Sequence, residues 1–152
     1  MPYPTKEDII QHLYRPTEEE TEAVNAWKEQ FYRKKWKKTP NSQKIVALKS
    51  LGDEILLARG IPDEEMPIYA AGKAPWGYMS EITVLQMDER SPSIISLLHE
   101  LGHHIFGPSE FEACKYSIGI FKHCFPKEAE KLVWDGHLLR KRTQKTTVDI
   151  IS

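Results

Sequence analysis

Ser96-Leu97-Leu98-His99-Glu100-Leu101-Gly102-His103-His104-Ile105-Phe106 is the stretch on which the reading of this chain turns. At about 100° per residue, Ile94, Ile95, Leu97, Leu98, Leu101, Ile105 and Phe106 fall within one broad arc of a helix, leaving Ser96, His99, Glu100, His103 and His104 on the other. The polar arc carries the pattern His-Glu-x-x-His. Imidazoles at i and i+4 project from successive turns and can reach one ion; zinc asks for nitrogens about 2.0–2.1 Å away. His99 and His103 meet that requirement. Glu100, rotated about 100° from His99 and about 60° from His103, borders the site as a base that could take a proton from water acidified by the metal. His104 lies about 140° from His99 and cannot readily share its ion. An amphipathic helix can also show His and Glu to solvent with no chemistry attached. Gly102 weighs against that: inside a helix it costs about 1 kcal/mol relative to Ala, so a close approach of neighbouring backbone is expected there.

Two imidazoles leave a catalytic zinc one protein ligand short of its usual three. A third His six positions after His103 would fall at 109, where the chain has Ser109, and Phe106 stands where that pattern needs glycine. The next carboxylates are Glu110 and Glu112, after a Gly107-Pro108 break that lets a following helix fold back beside the first. Glu112 is the chosen third ligand and Glu110 its substitute, although Ser109-x-x-Glu112 is also a capping-box spacing that competes for the same oxygens.

Working outward, Ser91-Pro92 marks the start of the metal helix, Ser109 can cap a helix to about Phe125, and Lys127 to Arg142 suggests another. Between Ile61 and Arg90, Pro62, Pro67, Gly72, Pro75 and Gly77 punctuate short runs, including Glu81 to Met87, in which Thr83, Leu85 and Met87 share a face; a small antiparallel sheet of two or three strands follows. Upstream, Thr17 and Glu20 form a capping-box pattern opening a helix to about Trp36, acidic at its start and basic at its end, and Ile45, Leu48, Leu51 and Ile55 outline a second helix ending near Gly60. The expected fold class is α+β, a small sheet against an active-site helix with flanking helices.

The chain has 152 residues, 40% hydrophobic and 28% charged, with 21 Lys plus Arg against 22 Asp plus Glu and a formal net charge of -1. This composition excludes a chain too charged to fold and a globally basic nucleic-acid binder. No apolar run approaches the roughly 18 residues of a membrane span, and MPYPTKEDII has no signal pattern, so a cytoplasmic protein is expected. The expected organisation is one domain over 1–152: a helical part (1–60), the sheet and active-site helices (61–142) and a tail (143–152). Cys114 and Cys124 fall on one helix about 15 Å apart, too far for a disulfide, and read as free thiols that pack as small apolar residues.

The run LLHELGHHIFG followed by EFEACKYSIGIFKHCFP, residues 97–126, resembles the ImmA/IrrE family of zinc metallopeptidases, in which HELGH precedes a helix carrying a Glu-Ala pair and often a proline. The resemblance implies His99 and His103 as ligands of one zinc ion per chain, Glu100 as general base, the Glu of Glu112-Ala113 as third ligand, a zincin-like fold, and cleavage of a DNA-binding repressor as the typical role. Cys114 stands where the family commonly has Asn. The wider group also often has an acidic residue four after the ligand, where, counted from Glu112, this chain has Tyr116.

The expected activity is therefore hydrolysis of a peptide bond in a protein or peptide substrate. Tyr69, Tyr78, Tyr116, His123 and His137 are the candidates for steadying the oxyanion, and the strand from Glu81 to Met87 could take an extended substrate by edge pairing. The alternative is a metal-containing regulatory module that binds a repressor or nucleic acid without proteolysis. Arg33 to Lys38 and Arg140-Lys141-Arg142 with Lys145 could form a phosphate-binding patch for it, yet both tracts sit where helix C-termini favour cations anyway. A latent enzyme covered by its own last ten residues is a third possibility.

Overall fold

A computed structural model describes residues 3–33 and 35–141. Helix α1 (Lys6–Gln11) is capped by Thr5, whose hydroxyl accepts from the Asp8 N–H. Helix α2 (Glu18–Trp27) opens with the expected capping box: Thr17 Oγ1 accepts from Glu20 N–H, and the Glu20 carboxylate accepts from Thr17 N–H. It stops earlier than the sequence suggests. One π-helical turn (Lys28–Tyr32) follows, and Arg33 is already extended. The widened turn lets Phe31 and Tyr32 pack with Trp27 and sets Tyr32 edge-on to Phe125. Lys35 and the 3-10 turn Trp36–Lys38 therefore lie beyond the helix, and its dipole does not account for their charges.

Helix α3 (Asn41–Ala58) runs antiparallel to α2. The Trp27 indole donates to Ala47 O near one end of the pair, and Arg59 meets Glu20 at the other. The sheet comprises β1 (Ile68–Gly72), β2 (Gly77–Met79) and β3 (Val84–Asp88) in the order β1-β3-β2. It is mixed, not antiparallel: β2 pairs antiparallel with β3, whereas β1 pairs parallel to it. The segment between β1 and β2 contains Pro75 and is tied through the Trp76 indole to Ser91 O, so the chain crosses to the far side of β3 before returning. With both of its edges paired, β3 cannot accept a substrate strand, which corrects the edge-pairing expectation. Leu85 and Met87 do point into the core as their alternation required.

Helix α4 (Ile94–Phe106) begins two residues later than expected: Ser93, not Ser91, is the cap, accepting from Ser96 N–H. Gly107, at φ 95, ends it, and Gly107-Pro108-Ser109 is the whole link to α5 (Glu110–Cys124). The buried side of α4 is Ile94, Leu97, Leu98 and Leu101, which pack into a core shared with α2, α3, β3 and α5. The expected close approach at Gly102 is the α5 backbone: a Cβ there would sit 2.9 Å from Ala113 Cα.

The expected helix over 127–142 does not form. A short α6 (Pro126–Ala129) gives way to a hairpin, β4 (Leu132–Asp135) and β5 (Leu138–Lys141), turning through Gly136 at φ 64 and His137. Leu132, Trp134, Leu138 and Leu139 join Ile9, Leu13 and Phe111 in a second small core against Cys114 and Ile118. Helix α5 is thus buried on two sides, by α4 and by α1 with the hairpin. Arg142, Lys145 and the tail 143–152 lie outside the described residues, as does Lys34. Among the described residues no helix is long and apolar enough to cross a membrane.

Candidate metal centre

The α4–α5 pair assembles the site. His99 and His103, one turn apart on α4, hold their rings edge to face with centroids 4.9 Å apart. The first residue of α5 meets them: Glu110 Oε1 lies 3.2 Å from His99 Nε2 and 2.7 Å from His103 Nε2. Tetrahedral ligands about 2.05 Å from a zinc ion would be about 3.3 Å apart; the His99–Glu110 separation of 3.2 Å matches that span, and the His103–Glu110 separation of 2.7 Å is shorter than it. All three lie within 4.8 Å of one another, and these residues could hold a metal ion. Their side chains retain 15, 13 and 29% exposure, enough for solvent to reach the cluster.

The outer nitrogens of both rings are occupied in a way that frees the inner ones. His103 Nδ1–H donates to Gly107 O at 2.9 Å, and His99 Nδ1 faces Cys114 Sγ at 3.9 Å. Such partners fix ring orientation and leave Nε2 to bind a cation. His104 is turned away, as its angle required. Its Nδ1 accepts from Tyr78 Oη at 2.7 Å and its Nε2–H donates to Glu65 O at 2.9 Å.

The structure separates the two candidate carboxylates, and the one it sets beside the His pair is not Glu112. Glu112 Oε1 pairs with Lys115 Nζ at 2.9 Å, and its backbone N–H donates to Ser109 Oγ. Glu110, the substitute, is the carboxylate at the His pair. The physical reason is helical phase. Ala113 faces α4 at Gly102; Glu110, three residues before it, is rotated about 60° from that face, whereas Glu112 is rotated about 100°. Counted from Glu110, the residue four positions on is Cys114 and not Tyr116, which returns Cys114 from mere packing to direct contact with His99.

Electrostatics follow from the crowding. Hydrogen bonding from His99 holds the Glu110 carboxyl well below its usual range against the opposing effect of burial. Burial disfavours the charged form of His99, but Cys114 and Glu110 outweigh it and raise its pKa. Glu100 is 8% exposed, and burial pushes its carboxyl up while His99 and His103 pull it down.

Of the five oxyanion candidates only His137 reaches the cluster, its Nε2 lying 3.2 Å from Glu110 Oε2. Tyr116 is buried against Glu20, Tyr78 serves His104, Tyr69 covers Gly52, and His123 is exposed near the opposite end of α5. The hairpin that carries His137 escaped the sequence reading, although Asp135-Gly136 between Leu132-Val133-Trp134 and Leu138-Leu139 is a hairpin signature. Compared with known proteins, the chain matches no family model, no curated protein and no solved structure.

Proposed function

We propose that this chain is a zinc metallopeptidase that holds one zinc ion with His99, His103 and Glu110 and uses Glu100 as general base. The observation that carries the reading is the convergence of two imidazole Nε2 atoms and one carboxylate oxygen, with the outer nitrogens committed to Gly107 O and Cys114 Sγ. Two nitrogens and one oxygen, with no thiolate among the three, is a donor set that suits a catalytic zinc and leaves one position open. Bound there, the ion would supply Lewis acidity, polarising the scissile carbonyl and acidifying the attacking water.

The chain's own residues do the rest. Glu100, next to His99 and shielded from bulk water, takes the proton released as water adds to the carbonyl carbon, then passes it to the amide nitrogen as the C–N bond breaks. One water is consumed, and a carboxylate and an amine result. The substrate is a peptide, and β2 replaces β3 as the strand to receive it: β2 packs on α4, its Tyr78 is bonded to His104, and its outer edge has no partner strand among the described residues. A DNA-binding repressor is the substrate class that the sequence resemblance suggests.

Metal content and peptide hydrolysis of purified variants test this together. One equivalent of zinc is expected in the parent protein and in Glu112→Ala, with loss from His99→Ala, His103→Ala and Glu110→Ala. Glu100→Gln should keep the zinc and lose about 10²–10⁴-fold in kcat. Hydrolysis undiminished in Glu100→Gln, or zinc retained by Glu110→Ala and lost from Glu112→Ala, would overturn the assignment.

A further inference from the structure

Glu110 presents its two carboxylate oxygens to different neighbours. Oε1 faces the α4 imidazoles, whereas Oε2 lies 3.2 Å from His137 Nε2. His137 sits at the tip of the β4–β5 hairpin, where Gly136 supplies the positive φ that the two-residue turn needs. The hairpin is fastened by Trp134, Leu138 and Leu139 to α1 and the outer side of α5, so its tip is held over the first turn of that helix. The ring of Tyr3 stacks on His137 at 4.6 Å and 8°. The His137 side chain is 16% exposed.

A glutamate at the first position of a helix has rotamer freedom that must be lost before it can serve as a ligand. It can also offer a cation one oxygen or both. Donation from His137 Nε2–H to Oε2 removes both freedoms, leaving Oε1 to point at the His pair. We propose that His137 is the positioning residue of the third ligand: it holds Glu110 in single-oxygen geometry, and Tyr3 supports its ring. This rests on the reading of His99, His103 and Glu110 as the metal ligands. Glu110, Cys114 and His137 also lie within 4.8 Å of one another. A second ion among them is the weaker arrangement, because Cys114 Sγ already faces His99 Nδ1 and Oε2 already accepts from His137.

The test is titration of the metal-stripped full chain with zinc against a chromophoric chelator, with cobalt(II) as a spectroscopic substitute. The parent should bind one equivalent. His137→Ala should still bind one, 10–100-fold more weakly, the usual cost of losing an outer partner of a ligand. Its cobalt spectrum should weaken as both carboxylate oxygens or a further water enter the coordination. His137→Gln, whose amide can still donate to Glu110, should recover most of the affinity and the parent spectrum, which separates positioning from a fold defect. Unchanged affinity and spectrum in His137→Ala would overturn the proposal. So would two equivalents in the parent with one lost from His137→Ala, since His137 would then be a ligand. Absence of zinc binding by the parent would instead remove the metal site itself.

Discussion

Cys114 is the residue whose role depends most on its surroundings. On sequence it is a small apolar side chain in a helix; in the structure it is fully buried, with its sulfur aimed at the outer nitrogen of His99. A weak sulfur partner still restrains the ring, so Cys114→Ala should leave the fold intact and lower zinc affinity by about tenfold, while Cys114→Ser keeps a polar partner and loses less. Competition titration of the two variants measures the difference, and equal affinities for Ala and parent would remove the contact from the account. The juxtaposition of His99 and His103 was legible from their spacing because both lie on one helix. Glu110 was not, because choosing between it and Glu112 needs the rotational phase of α5, and burial on two sides leaves that helix with no single apolar stripe to read.

That phase is set by contact between elements. Gly102 lets the backbone of α5 come against α4, and Gly119 does the same for the segment at Tyr14, whose carbonyl oxygen a Cβ at Gly119 would strike. Alanine at 102 would gain about 1 kcal/mol of helix propensity. It would also press on Ala113 Cα, a backbone atom that cannot rotate aside, and overpacking of this kind costs about 1–3 kcal/mol. The expected result for Gly102→Ala is a net loss of metal-free stability of about 1 kcal/mol in urea unfolding, together with weaker zinc binding as Glu110 moves with α5. Higher metal-free stability would contradict it. The sequence announced a close approach at Gly102 but not the partner. It missed the β4–β5 hairpin because Lys127 to Arg142 also fits a helical period, and only the pairing of Leu132 to Asp135 with Leu138 to Lys141 decides the matter.

Across the whole molecule, Glu20 binds the parts together. Its carboxylate, wholly buried, accepts from Thr17 N–H, Tyr14 Oη, Tyr116 Oη and Arg59, joining the chain before α2 to α3 and α5. Burial alone would raise its pKa, but these four donors outweigh burial and lower it from the ordinary 4.5. Because the folded-state value is the depressed one, the stabilisation is present above the unfolded value and is lost as pH falls through the folded one. Glu20→Gln should cost about 3 kcal/mol at neutral pH and flatten the acid limb of the stability profile. Urea midpoints at neutral pH and at about pH 3 check this; a parent and variant that lose stability in parallel on acidification would assign acid unfolding to other groups. The helix-rich α+β character was legible from period and punctuation. The parallel placement of β1 was not, since it depends on where a proline-bearing connection carries the chain.

The brevity of Gly107-Pro108-Ser109 reaches beyond the native state. It leaves all three proposed donor atoms on a single local stretch, residues 99–110, with no distant segment needed to complete the set. A denatured chain keeps those side chains near one another and can capture the ion without refolding, and affinity for the unfolded form subtracts from the protection a cation confers. Saturating zinc at about a thousand times its dissociation constant would add about 4 kcal/mol if only the native form bound it. Calorimetry should find a clearly smaller increment, and a full one would mean that the scattered coil has lost its grip on the metal.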